Sequence, residues 1–297
     1  MAIKFLKFAK LYFIFSGILV VLSILAIFMY GLNWGIDFVG GSVIQVKYSE
    51  LPVHEELFND LSELGLENFS LRFNQDNIVS VRMPDINQEL KDTINAYFYQ
   101  SDSVDKDSIS FESISPIIGN ETRTKAIRAV ILSIVAIILY VAFVFRKVSR
   151  PIKSWQYGIA TVIALIHDVL IPIGVFACLG HFYNAEFSIP ILTALLTIFG
   201  YSVNDTVVVF DRIRENLITH KSDNYREIVN QSLNQTLVRS LNTSLTTLLV
   251  LVALYLFGGV SLNFFSLALI IGVIAGTYSS MFLASTLLVE WWYVKNS

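Results

Sequence analysis

A chain of 297 residues that is 54% hydrophobic and only 15% charged, with a mean hydropathy of +0.61, has too few charged side chains to clothe a soluble domain of that length. A multispanning membrane protein is the reading that fits. The net charge of −3 hides a segregation of sign: acids far outnumber bases from 31 to 124, whereas Lys and Arg crowd the other short connections.

The first apolar run, 11–30, follows Lys4, Lys7 and Lys10. It is longer than a signal-peptide core, and Gly31-Leu32-Asn33-Trp34 offers no small-residue cleavage site, so it reads as an uncleaved first span. The stretch Gly35-Ile36-Asp37-Phe38-Val39-Gly40-Gly41 comes next, its glycines permitting a sharp reversal into a first strand. No Gly-Lys-Ser/Thr follows, which excludes a phosphate loop.

From 31 to 124 strand and helix signals alternate. Period-two alternation over 42–48 predicts a strand, and Pro52 opens a helix whose apolar positions are Leu57, Leu61 and Leu64. Stretches 69–73 and 78–83 predict a hairpin around Asn74-Gln75-Asp76-Asn77, 85–99 a second helix, and 108–114 a last strand. The order βαββαβ predicts a ferredoxin-like split βαβ sheet with two helices on one face.

Further apolar runs of spanning length occupy 126–145, 155–179, 187–210, 241–257 and 263–289, the last long enough to tilt or emerge from the bilayer. The fold class expected is therefore a membrane all-α bundle of six helices over 11–30 and 125–297, with one α+β domain over 31–124 outside the cytoplasm. Orientation follows from the bases. Arg146, Lys147, Arg150 and Lys153 lie between the second and third spans, and Arg212, Arg214, Lys221 and Arg226 between the fourth and fifth, whereas 180–186 and 258–262 carry none. Both termini then face the cytoplasm. A cytoplasmic amphipathic segment, 211–238, leads into the fifth span, with Asp223 as a candidate cap and Ile228, Val229, Leu233 and Leu237 on its apolar side; its plain alternative is a helix lying on the membrane surface.

Ionisable residues inside spans cost about 2.5–3.5 kcal/mol each at mid-helix, so they mark candidate ion or substrate paths. Asp205 follows Asn204 and lies ~9 Å inside the cytoplasmic end of the fourth span, six residues before Asp211-Arg212. Arg239 sits near the matching end of the antiparallel fifth span, so an Asp205–Arg239 pair loosened by protonation is expected. The alternative is a helix-end cap with Arg239 snorkelling to lipid phosphate. His167 and Asp168, near the middle of the third span, suit a proton relay or a polar lock between helices; being adjacent, they point ~100° apart and cannot face one partner in the same way.

Thr193, Thr197, Tyr201 and Asp205 recur every four residues on one helix face, and Ser240, Asn242, Thr243, Ser244, Thr246 and Thr247 make the start of the fifth span polar. Gly272, Gly276 and Ser280 form a small-residue stripe read as a packing seam. Cys178 has no disulfide partner and reads as packing, while His54, His181 and His220 read as isolated and solvated. With no Walker motif, no Cys/His metal spacing and no serine nucleophile elbow, nothing supports ATP hydrolysis or proteolysis, and no cofactor or metal is expected.

Four stretches together, Gly35–Gly41, His167-Asp168, Gly200–Asn216 with its Ser-Val-Asn-Asp-Thr-Val-Val-Val-Phe-Asp-Arg-Ile-Arg-Glu run, and Arg239-Ser240-Leu241-Asn242-Thr243-Ser244, closely resemble the SecF family, the smaller partner in the SecD–SecF export complexes of the RND superfamily. The resemblance covers essentially the whole chain, with one visible departure: Ser115 stands before Pro116 where the family commonly has Gly. It implies SecD as a pseudo-symmetric partner half, and association with the SecYEG translocon, commonly YajC and sometimes YidC. It further implies unfolded preproteins as clients, no nucleic acid, and use of the proton-motive force in late export steps across the bacterial cytoplasmic membrane. In that family the residues matching Asp205 and Arg239 are implicated in proton passage, and His167, Asp168 and Asn204 join them here as candidates. Gly35, Asp37, Gly40 and Gly41 carry the structural motif. A purely structural subunit remains the alternative, whereas a small-molecule RND exporter is disfavoured because one external domain is too small to build a funnel. The bases predict that, in intact cells, an impermeant thiol reagent labels cysteines placed within 68–107 and 183–186 but not within 147–153 or 220–224; labelling of 147–153 from outside overturns the orientation.

Overall fold

The computed structural model describes residues 3–73, 77–146, 152–219 and 224–296. They form two compact units: Met1–Asn33 with Arg128–Ser297, and Trp34–Ile127. Helix α1 (Ala9–Tyr30), entered through a 3₁₀ turn at Phe5–Phe8, belongs to the first.

The smaller unit runs α2 (Ile36–Val39), β1 (Gly41–Tyr48), α3 (His54–Glu63), β2 (Ser70–Phe73), β3 (Ile78–Met83), α4 (Gln88–Gln100), β4 (Val104–Ile114). Its four strands are antiparallel in the order β2-β3-β1-β4. The hydrophobic alternation drives the pairing: Ile44, Val46 and Tyr48 are buried while Gln45 and Lys47 between them are exposed, and Val79, Val81 and Met83 answer from β3. Leu57 and Leu61 of α3 and Ile94 and Phe98 of α4, each pair one turn apart, complete the same core. Asn87 caps α4 by accepting from Leu90 N at 2.9 Å. Residues 74–76 of the expected hairpin turn lie outside the described residues.

The Gly-Gly pair does more than reverse the chain. After the single helical turn of α2, Gly40 (φ +79°) and Gly41 (φ +125°) adopt conformations costly for other residues. A Cβ on Gly40 would stand 2.5 Å from Pro116 Cα, and one on Gly119 would stand 2.7 Å from Gly40 N. Ser115 meanwhile supplies the carbonyl that accepts from Gly119 N at 3.0 Å, so the helix starts there without a glycine.

The larger unit takes in most of α5 (Pro116–Val144) and all of α6 (Ser154–Tyr183), α7 (Ile189–Thr219), α8 (Tyr225–Phe257), α9 (Val260–Tyr278), a π-helical segment (Ser279–Ala284) and α10 (Ser285–Asn296). Among the described residues, six helices are long and apolar enough to cross a membrane: Phe5–Tyr30, Pro116–Val144, Ser154–Tyr183, Ile189–Thr219, Tyr225–Phe257 and Leu262–Trp292. Helix α7 packs against α6, α8 and α9, and α1 packs on α6, where Gly174 meets Ser23. Large apolar side chains such as Leu11 and Leu22 of α1, Leu132 of α5 and Leu249 of α8 stay exposed, as helices that face lipid or another bundle require.

The amphipathic part of the segment 211–238 leads into the fifth candidate span as expected and is not a separate surface helix. Helix α7 continues past Asp211 to Thr219, and α8 already begins at Tyr225, because Ile213, Ile228, Val229 and Leu233 keep a helical apolar stripe beyond the end of the continuous apolar run. Asp223 lies outside the described residues; Asn224 caps α8, accepting from Arg226 N at 3.1 Å. The histidines expected to be isolated are not all so: His181 stacks on Tyr30 with ring centroids 4.5 Å apart, and His54 lies 5.4 Å from the Phe73 ring, while His220 lies outside the described residues.

Positive φ and backbone contact together set the expectation for Gly40→Ala: a loss of roughly 1–3 kcal/mol of stability. Thermal unfolding of the purified chain in detergent checks it against Gly17→Ala, where a Cβ meets nothing within 4 Å. Equal Tm values for the two variants would contradict it.

Candidate functional site: two carboxylates inside the helical bundle

Asp205 sits at the level where α7 is wedged between α8 and α9, and only 9% of its surface is exposed. Its two oxygens are held by hydroxyls from the two flanking elements. Ser240 Oγ of α8 donates to Oδ1 at 2.6 Å, and Ser280 Oγ of the π-helical segment donates to Oδ2. Asp168 of α6 is fully buried and held in the same manner: Ser202 Oγ of α7 donates to Oδ2 at 2.5 Å, and Ser279 Oγ to the same oxygen at 2.7 Å. His167 Nδ1 lies 2.9 Å from Asp168 Oδ1, so the adjacent residues bond to each other rather than reaching for one shared partner. The other imidazole nitrogen, Nε2, is buried without a partner among the described residues.

The close approach that makes these bonds comes from the small-residue stripe. Opposite Gly272 stands Ile198, and opposite Gly276 stands Ser202; a Cβ on Gly276 would sit 3.2 Å from Ser202 Cβ and 3.6 Å from Asp168 Oδ2. The stripe is thus a seam between α9 and α7, as small residues are elsewhere in membrane bundles. Its third member, Ser280, is more than packing: it is a ligand of the Asp205 carboxylate. A hydroxyl track leads away from the site, from Tyr201 OH to Ser244 Oγ at 3.1 Å and between Ser244 and Thr277 hydroxyls at 2.6 Å.

The expected Asp205–Arg239 ion pair is not made. Arg239 is exposed, and among the described residues no Lys, Arg or His nitrogen lies within 4.0 Å of the Asp205 carboxylate. The reason is helical phase. The buried stripe of α8 is Ser232, Thr236, Ser240 and Ser244, every fourth residue, and Arg239 stands ~100° off it. That four-residue spacing of hydroxyls was the signal available in the sequence.

Asn204 is exposed, and Thr193 and Thr197 are exposed and spend their hydroxyls on their own helix, on Ile189 O and Thr193 O. Together with Asn242, Thr243 and Thr246 of α8 they leave polar, uncovered faces on two candidate spans. Gly35, Asp37, Gly40 and Gly41 belong to the sheet unit. Ser202 and Ser279 are the ligands that sequence reasoning missed.

Asp205 is thus a carboxylate deep in an apolar bundle satisfied by neutral donors, with no Lys, Arg or His nitrogen within 4.0 Å among the described residues.

The chain matches the family model of the SecD/SecF protein export membrane protein C-terminal region over residues 93–294, and that of the SecD/SecF GG motif over residues 25–50. It is 40% identical to the protein translocase subunit SecF of Thermobaculum terrenum, with 97% of this chain and 94% of that protein aligned. It is 38% identical to that of Desulfurispirillum indicum, covering 93% and 87%. The crystal structure of SecDF, a translocon-associated membrane protein from Thermus thermophilus, superposes with a TM-score of 0.88 at 36% identity, covering all of this chain and 39% of that one. With its six candidate spans and these relatives, the chain is a multi-pass membrane protein.

Proposed function

We propose, from the premise that this chain belongs to the SecF family of protein translocase subunits, that it acts with SecD to spend the proton-motive force on late steps of preprotein translocation. One observation carries the proposal: the buried Asp205 carboxylate, gripped by Ser240 and Ser280 with no cation beside it among the described residues. A proton that enters there removes the charge of this carboxylate and weakens two charge-assisted hydrogen bonds to two different elements. Movement of one elementary charge across 100 mV supplies about 2.3 kcal/mol, enough to bias a conformational equilibrium of a few kcal/mol. His167 and Asp168 form a second buried acid–base pair on the proton path, and Asn204 and Arg239 face outward from the bundle toward the partner half.

The uncovered polar faces of α7 and α8 support a second helical bundle as partner, since Arg239, Asn204 and Asn242 are costly against lipid. SecD is that partner in this proposal, SecYEG the channel it serves, YajC and YidC its further associates, and an unfolded preprotein its client. The segregation of bases supports a bacterial cytoplasmic-membrane protein with both termini inside. The sheet unit, ferredoxin-like in its βαββαβ order, stands outside the cytoplasm, where a client chain emerges.

Asp205→Asn keeps size and hydrogen-bonding capacity but abolishes titration. The expected outcome is normal insertion and assembly with loss of the pH-gradient-driven part of preprotein export, measured in vesicles at equal complex abundance. Asp205→Glu retains part of it. Wild-type export by Asp205→Asn would leave a bracing subunit with no proton path of its own.

A further inference from the structure

Consecutive serines of the last candidate span serve different carboxylates. Ser279 Oγ donates to Asp168 Oδ2 at 2.7 Å and Ser280 Oγ to Asp205 Oδ2, and both serines are fully buried. They open the π-helical segment Ser279–Ala284, the one stretch where the six spanning helices of the described residues leave α-helical geometry for a wider turn. Such turns are rare and concentrate at functional positions, because each holds one residue more than the α-helix around it. Here the carbonyl of Ser280 accepts from Ser285 Oγ, five residues on, at 3.3 Å.

Each of the two serines also has a second acceptor in its own helix. Ser279 Oγ lies 3.2 Å from Gly276 O, and Ser280 Oγ lies 3.2 Å from Thr277 O. A hydroxyl has a single hydrogen, so carboxylate and carbonyl compete for it. A charged acceptor makes a bond roughly twice as strong as a neutral one, and the competition tips toward the carbonyl once the charge is gone.

We infer that the Ser279–Ala284 turn reads the proton occupancy of both carboxylates, with Ser279 and Ser280 as positioning residues that hold it in the π form while Asp168 and Asp205 are charged; this rests on proton exchange at Asp205 as proposed above. Protonation releases a serine to its own helix, and the turn closes toward regular α-helix. Closing by one residue rotates the chain beyond it by roughly 100° and moves it ~1.5 Å along the axis. What lies beyond is α10, whose Trp291 ring meets Trp155 of α6 at 5.7 Å and whose Trp292 ring meets Tyr225 of α8 at 5.6 Å. A proton at the centre is thereby converted into movement at the bundle end. The other titratable groups near the two carboxylates are His167 on α6, bonded to Asp168, Tyr278 next to the turn, its ring 6.0 Å from that of His167, and Tyr201 on α7, whose hydroxyl goes to Ser244. Among the described residues no Lys or Arg lies within 4.0 Å of either carboxylate.

Solid-state NMR of the full chain, assembled with SecD in lipid bilayers and carbon-13 labelled at serine and alanine, tests this. Wild type is expected to show one set of backbone resonances for Ser279, Ser280 and Ala284 at alkaline pH and a second set on acidification. Asp205→Asn and Asp168→Asn should show the second set at every pH. Ser280→Ala should do so too although Asp205 still ionises, and Ser280→Thr, which restores the hydroxyl, should return the first set. Wild-type resonances in both Asp205→Asn and Ser280→Ala overturn the inference; if the Asp205 variant does not assemble, Ser280→Ala against Ser280→Thr decides alone. The resonances are read without export. A turn that converts in a variant with normal gradient-driven export therefore sinks the proton-drive proposal alone, and an unchanged turn in a variant that has lost export sinks the inference alone.

Discussion

Two carboxylates are buried inside a bundle of apolar helices, and the hydroxyls that satisfy them dictate how the helices meet. An unsatisfied carboxylate in such a place costs several kcal/mol, and a neutralising cation would bring its own desolvation penalty. Serine resolves this with the smallest donor available. It lets backbones approach closely and delivers its hydrogen to the oxygen: Ser240 and Ser280 for Asp205, Ser202 and Ser279 for Asp168. The glycines at 272 and 276 serve that approach: a Cβ at 272 would overlap Ile198 of α7, and one at 276 would press on Ser202 beside Asp168. Four elements are tied together at their most polar points, so a change of charge at either carboxylate is felt by helices far apart in sequence.

Much of the architecture was legible from residue pattern. The apolar runs mark the spans because only a helix of some twenty residues crosses a bilayer with its backbone satisfied. The alternation of Ile44, Val46 and Tyr48 marks the central strand because one face of an antiparallel sheet must be apolar. What pattern could not give was where a helix stops. Helix α7 runs to Thr219 although its continuous apolar run ends at Phe210, because an apolar stretch reports the membrane's thickness and a helix can continue beyond it, whereas the amphipathic stripe of Ile228, Val229 and Leu233 did mark a helix leading into the fifth span. Strand β4 likewise begins at Val104, four residues before the alternation becomes visible, since Asp105, Lys106 and Asp107 carry no apolar signal.

The site was legible by its charges and not by their partners. Asp205, Asp168 and His167 stand out in any apolar run, and all three are buried. Arg239 stood out equally and is exposed, because neighbouring residues on a helix diverge and Ser240 takes the inward position. Ser202 and Ser279, and the donor role of Ser280, were hidden for a different reason. A serine in a membrane helix reads the same whether it packs against a backbone or donates to a carboxylate, and only the partner's position separates the two roles.

Infrared difference spectroscopy of the membrane complex between high and low pH tests the central claim most directly, because a protonated carboxyl has its own carbonyl stretch, distinct from that of a carboxylate. The account predicts a carboxyl band that appears on acidification and is lost in Asp205→Asn, and that shifts in Ser280→Ala. The same band persisting unchanged in Asp205→Asn would contradict it.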